Sequence, residues 1–99
     1  MNFFIPYNQQ INELCQHYNV NRLFAFGSVL TDSFSEQSDV DLMVAFNDIP
    51  VEEYADNYFD FKFSLQNIFN RSVDLLEEQA IKNPYFRQNV DSNKQIIYG

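Results

Sequence analysis

The chain has 99 residues, with 14 Asp and Glu against 6 Lys and Arg, a formal charge of −8. That balance argues against direct nucleic-acid binding, which needs clustered cations to displace counterions. Gly27 is the only glycine inside the chain, which excludes the glycine-rich dinucleotide fingerprint and the P-loop.

Ile11, Leu14, Cys15 and Tyr18 recur at helical spacing and predict a short amphipathic helix over residues 7–18. Cys15 and His17 are the only cysteine and histidine, so neither an internal disulfide nor a structural zinc site is expected. Cys15, on the apolar face, reads as buried and inert. His17 reads as a surface or core-edge residue. Carboxylates remain as metal ligands, and they suit magnesium, manganese or calcium.

Arg22 to Phe26 is a compact apolar run that predicts a first strand, ending at Gly27. Ser28 to Asp32 reads as one helical turn, and Ser33 to Ser38 as a polar loop. Val40, Leu42 and Val44 alternate with Asp39, Asp41 and Met43 in a second strand. Asp48 and Pro50 open a long helix whose first turn carries Glu52 and Glu53. Its apolar stripe is Val51, Tyr54, Ala55, Tyr58, Phe61, Leu65, Ile68 and Phe69. Ser72 to Leu76 predicts a third strand, and Glu77-Glu78 a solvated helix start. Asn83 reads as an N-cap with Pro84 at the first position of a helix to about Val90. Gln95 to Tyr98 reads as a strand-like or docked tail.

The whole is expected to be one domain, residues 1–99, of α/β (α+β) class. The predicted order is α-β-α-β-α-β-α, with a small mixed sheet of three or four strands flanked by helices. No apolar run is long enough for a membrane span, and the start lacks a basic n-region. A cytoplasmic location is the expectation.

Gly27-Ser28 ends an apolar strand. It is either an ordinary turn or a place where a phosphate meets backbone N–H groups and a hydroxyl. In Asp39-Val40-Asp41 the two carboxylates share one strand face. A divalent cation would relieve their repulsion, and so would solvent at a strand end. Asp74 lies between Val73 and Leu75 in the third apolar strand, where aspartate is disfavoured. If the third strand neighbours the second, Asp74 joins the other two acids. Three carboxylates with two metals are the layout for in-line phosphoryl or nucleotidyl transfer. Otherwise Asp74 marks a short exposed edge strand.

The segment FGSVLTDSFSEQSDVDLMV resembles the G-S-x(10)-D-x-D signature of the DNA polymerase β-like nucleotidyltransferases, and VDLL resembles the later strand carrying their third acid. The short chain is similar to the minimal nucleotidyltransferases (MNT proteins), often encoded beside a HEPN-domain partner in toxin–antitoxin pairs. The resemblance implies a nucleotidyltransferase fold, with Gly27 and Ser28 on the nucleotide phosphates. It implies that Asp39 and Asp41 ligate two Mg²⁺ ions. Asp74 would help hold the catalytic metal and take the proton of the attacking hydroxyl. It further implies transfer of AMP from ATP to a tyrosine hydroxyl of a HEPN partner. Many relatives have an arginine soon after Gly-Ser, whereas residues 29–38 here contain no Lys or Arg. That departure favours the alternative, an antitoxin-like subunit that neutralises a HEPN ribonuclease by contact alone.

Lys62 falls within the apolar arc of the long helix, where it either snorkels or meets an anion such as Asp74, Asp41 or a nucleotide phosphate. Arg71 is a second candidate for the phosphate, or else solvated. Phe59, Phe63, Tyr85 and Phe86 lie off the predicted stripe or after a proline. They suggest an interface with a second copy or a HEPN partner, or burial under the C-terminal tail.

Overall fold

The computed structural model describes residues 3–99. After a 3-10 turn at Ile5–Tyr7, helix α1 spans Asn8–His17 and strand β1 Val20–Phe26. A 3-10 turn, Gly27–Leu30, stands where one helical turn was expected. Strand β2 is Val40–Phe46, helix α2 Val51–Phe69 and strand β3 Val73–Glu77. A 3-10 turn at Glu78–Ala80 leads to helix α3, Pro84–Asn93, and strand β4, Gln95–Tyr98. The tail is therefore a true fourth strand.

The sheet order is β3-β2-β1-β4. β1 pairs antiparallel with both β2 and β4, and β2 pairs parallel with β3. Alternation along the strands divides the side chains between two faces. Leu23, Ala25, Val40, Leu42, Val44, Val73 and Leu75 form one core with Ile11 and Cys15 of α1 and Phe61, Leu65 and Phe69 of α2. On the other face Phe26 and Met43 meet Val90 of α3, with Phe24, Leu76 and Ile81 around them. Two helices thus cover one side of the sheet and α3 the other, which is the mixed α/β layering the alternating patterns required. Among the described residues no helix is long and apolar enough to cross a membrane.

Local sequence explains the element ends. The Asn83 side chain accepts from the N–H groups of Tyr85 (2.9 Å) and Phe86 (3.1 Å), and Pro84 occupies the first turn of α3. Asn70, left-handed at φ 54°, closes α2. The first turns of α2 meet the core through Tyr54, whose ring lies edge-on to Phe46 at 5.7 Å. Val51 and Ala55, expected in the stripe, are exposed there. Tyr58 and Gln66, one helical face of α2, reach the open edge of β3. The Tyr58 hydroxyl donates to the Leu75 carbonyl, and Gln66 Oε1 accepts from Val73 N at 3.1 Å.

Glu77 and Glu78 do not form a solvated helix start. Glu77 ends β3 half-buried, and Glu78 pairs with Arg22 (3.2 Å) and Arg87 (3.1 Å). It thereby ties α3 to β1. Phe59 and Phe63 are exposed and stack on each other at 6.1 Å. The tail cannot bury them, because β4 pairs at the opposite edge of the sheet from β3, beside which α2 lies.

Candidate active site

Parallel pairing of β2 with β3 places Asp41 directly beside Asp74 in register. Both alternate with core residues of the α1–α2 face, so both carboxylates project on the α3 side. Asp39 sits just before β2, exposed, and Asp74 is exposed too, while Asp41 is half-buried. The Asp41 carboxyl is pushed above its ordinary value, first by burial, then by the charges of Asp74 and Asp39. The three acids are therefore one electrostatic neighbourhood. They are not a preformed ligand cluster: among the described residues no three His, Cys, Asp or Glu side chains already stand as a metal site.

Phe26, the last residue of β1, is the register partner of Asp41. The chain then turns through Gly27 at φ +74°, a conformation L side chains rarely adopt. A Cβ at Gly27 would collide with Asp41 Oδ2 and lie 3.2 Å from its Cγ. The missing side chain leaves the backbone open beside the acids. Ser28 follows, half-buried; its carbonyl accepts from Thr31 N and Thr31 Oγ1, both at 2.9 Å. Its hydroxyl takes no part in a hydrogen bond among the described residues. The donor set fits a hard divalent cation, since it consists of carboxylate oxygens whose mutual repulsion a cation relieves.

Lys62 lies elsewhere. It sits on α2 between Tyr58 and Gln66, at the edge of β3, and α2 packs on the sheet face away from the Asp41 and Asp74 carboxylates. Lys62 is half-buried and makes no ion pair among the described residues. Arg71 is half-buried and its guanidinium is engaged within the chain. Its guanidinium lies over the rings of Phe3 (5.1 Å) and Phe34 (4.6 Å) and donates to the carbonyls of Ser35 (2.9 Å) and Ser38 (3.1 Å). It holds the loop that delivers Asp39 against the root of β3, which delivers Asp74. Sequence reasoning missed this clamp, although Phe34 was its one apolar signal in a polar loop.

A cleft of about 580 Å³ opens on the other side of Gly27. It is lined by Phe26, Leu30, Thr31, Phe86, Val90 and the carboxamides Asn89, Asn93 and Gln95. None of these was singled out from sequence except Phe86. The i, i+4 spacing of Asn89 and Asn93 was the available signal. Among the described residues no Lys or Arg lines the cleft. His17 is exposed, edge-on to Tyr18 at 4.6 Å, at the end of the helix that packs on the sheet face away from the acids. Cys15 is buried and its thiol is pushed up to about 12 by desolvation.

Comparison with known proteins agrees with this architecture. A protein 32% identical over 85 residues is a candidate protein adenylyltransferase of Methanocaldococcus jannaschii (86% of this chain, 82% of the relative). The solved structure of a candidate minimal nucleotidyltransferase superposes with a TM-score of 0.77 at 25% identity, covering 96% of this chain and 95% of the other. The complex of a tri-AMPylated Shewanella oneidensis HEPN toxin with its MNT antitoxin shares the fold, at TM-score 0.64 and 16% identity (95% of this chain, 71% of the other). The family described as polymerase beta nucleotidyltransferase matches residues 9–99. With that match over most of its length, the chain belongs to the polymerase β nucleotidyltransferases, among their minimal members.

Proposed function

We propose that this chain transfers AMP from ATP to a hydroxyl of a HEPN-domain partner protein, as the antitoxin of a toxin–antitoxin pair. The observation that carries the reading is the register pairing of Asp41 with Asp74, with side-chain-free Gly27 against Asp41. The adenylyltransferase relatives and the AMPylated HEPN complex support the acceptor class.

Asp39, Asp41 and Asp74 would hold Mg²⁺, two ions by family resemblance. When bound, the ions would neutralise triphosphate oxygens and lower the barrier to attack by the hydroxyl. Gly27 lets the phosphates approach the backbone, and Ser28 offers them a hydroxyl. The acceptor oxygen forms a bond to the α-phosphorus as the bond to the bridging oxygen breaks. Pyrophosphate leaves, and Asp74 takes the hydroxyl proton.

The absence of Lys and Arg from residues 29–38 and from the cleft favours one second reading, neutralisation of a HEPN ribonuclease by contact. The test is incubation with the HEPN partner, labelled ATP and Mg²⁺. Label on the partner, abolished by Asp39→Asn with Asp41→Asn, supports transfer. Stable binding without label leaves contact alone. A complex of the two chains, or a homodimer, is the expected assembly.

A further inference from the structure

We propose that the cleft beside Gly27 is the nucleobase site and that the Asn89–Asn93 pair reads an adenine there. The inference deepens the nucleotidyl-transfer reading and rests on it. Gly27 borders both the cleft and Asp41, so a nucleotide with its phosphates over Gly27 has the acids on one side and the cleft on the other. At about 580 Å³ the cleft falls within the range of small-molecule sites, roughly 300–1,000 Å³. That is far more room than a metal ion or a lone phosphate needs.

Its chemistry suits a neutral ring. Phe26, Leu30 and Val90 supply apolar wall, and Phe86, 42% exposed, stands edge-on to Phe26 at 6.3 Å. An exposed phenylalanine beside a polar rim is a stacking surface for a base. The polar lining is hydroxyl and carboxamide only, from Thr31, Asn89, Asn93 and Gln95. Among the described residues an anion would find no cationic side chain there.

The carboxamides are oriented. Asn93 Nδ2 donates to the Asn89 backbone carbonyl (2.9 Å) and to Asn89 Oδ1 (3.1 Å). Those bonds use the Asn93 amine and the Asn89 carbonyl oxygen. They leave Asn89 Nδ2 as a donor and Asn93 Oδ1 as an acceptor, one helical turn apart. Adenine offers the complement on one edge, the N6 donor beside the N7 acceptor, whereas guanine offers two acceptors on that edge. A guanine there would set its O6 against Asn93 Oδ1.

The experiment is a calorimetric titration of the full chain with ATP, GTP, 7-deaza-ATP and inorganic tripolyphosphate, each with Ca²⁺ to prevent turnover. ATP is expected to bind roughly tenfold or more tighter than GTP, the discrimination of a good two-bond base contact. 7-deaza-ATP, which lacks the N7 acceptor, should fall toward GTP. Asn89→Ala and Asn93→Ala should each bring ATP down to the GTP value and leave tripolyphosphate binding and Tm unchanged, both residues being exposed. Phe86→Ala should weaken both nucleotides alike. Equal affinity for ATP and GTP in the wild type, or a ratio that survives both Asn variants, would overturn the base assignment. With tripolyphosphate still bound, that outcome leaves the transferase reading standing. If neither the nucleotides nor tripolyphosphate binds, both fall together.

Discussion

Asp41 and Asp74 are register partners across the parallel β2–β3 pair, two carboxylates on adjacent strands with no cationic side chain paired to either among the described residues. Asp41 is the more buried of the two, and burial, then the charges of Asp74 and Asp39, raise its carboxyl above its ordinary value. A raised native value means that the folded state holds this proton more tightly than the unfolded chain. Stability therefore falls as pH rises through the Asp41 titration, and the penalty is complete above it. Asp41→Asn removes the charge and keeps the shape. Without metal, the variant should melt at a higher temperature than wild type at pH 7. That advantage should shrink in acid, below the Asp41 titration. Mg²⁺ should raise the Tm of wild type and leave the variant unmoved. A variant less stable than wild type in metal-free buffer at pH 7 would contradict the account.

Gly27→Ala tests the other half of the site. The left-handed backbone costs a residue with a side chain roughly 1–2 kcal/mol, and the new methyl meets the Asp41 carboxylate. The variant should lose several degrees of Tm, given about 4–8 °C per kcal/mol in a domain of this size. It should also lose nucleotide binding altogether, which circular dichroism with a nucleotide titration would separate from simple unfolding.

Arg71 positions the loop before Asp39. Arg71→Ala removes the guanidinium from two rings and two carbonyls, a loss of about 1–2 kcal/mol. Arg71→Lys should recover little, because an ammonium lacks the flat fork that serves both sets of partners. Hydrogen exchange at residues 35–38 should quicken in both variants. Metal affinity should weaken with them, as Asp39 loses its fixed approach.

Glu78 joins β1 to α3 through Arg22 and Arg87. Glu78→Gln should cost about 1 kcal/mol, in the range of partly exposed ion pairs. The effect should concentrate in α3, read as faster amide exchange at residues 86–93, with little change in α2. High salt should reproduce part of it in the wild type.

Much of this could be read in the amino-acid sequence because it follows from period and punctuation. The alternation at Val40, Leu42 and Val44 marked β2 and the shared face of Asp39 and Asp41. Asn83-Pro84 marked the start of α3. Asp74 was legible as an anomaly, an acid inside an apolar strand. What was hidden depended on which strand pairs with which. The parallel neighbourhood of β2 and β3 is a long-range choice that no local pattern encodes. Lys62 was legible only in part for a related reason: helical phase shows that it borders the apolar stripe, not which face of the sheet that stripe covers. The clamp that Arg71 makes was missed because its partners, Phe3 and Phe34, come from two distant segments. Asn89 and Asn93 gave a spacing but no cleft, since the far wall is built by β1 and the Gly27 turn.

Tyr58 and Gln66 also shape the edge of the sheet. By taking up the Leu75 carbonyl and the Val73 N–H, they satisfy backbone groups that an edge strand would otherwise offer to another chain. The strand that carries Asp74 can thus stand at the rim, open to solvent, without inviting cross-strand aggregation there. The molecule presents an acid at its margin and keeps that margin chemically quiet. The opposite rim has a different character: β4 is short and exposes Ile96. Self-association under stress should begin at β4 and leave the acid-bearing rim untouched.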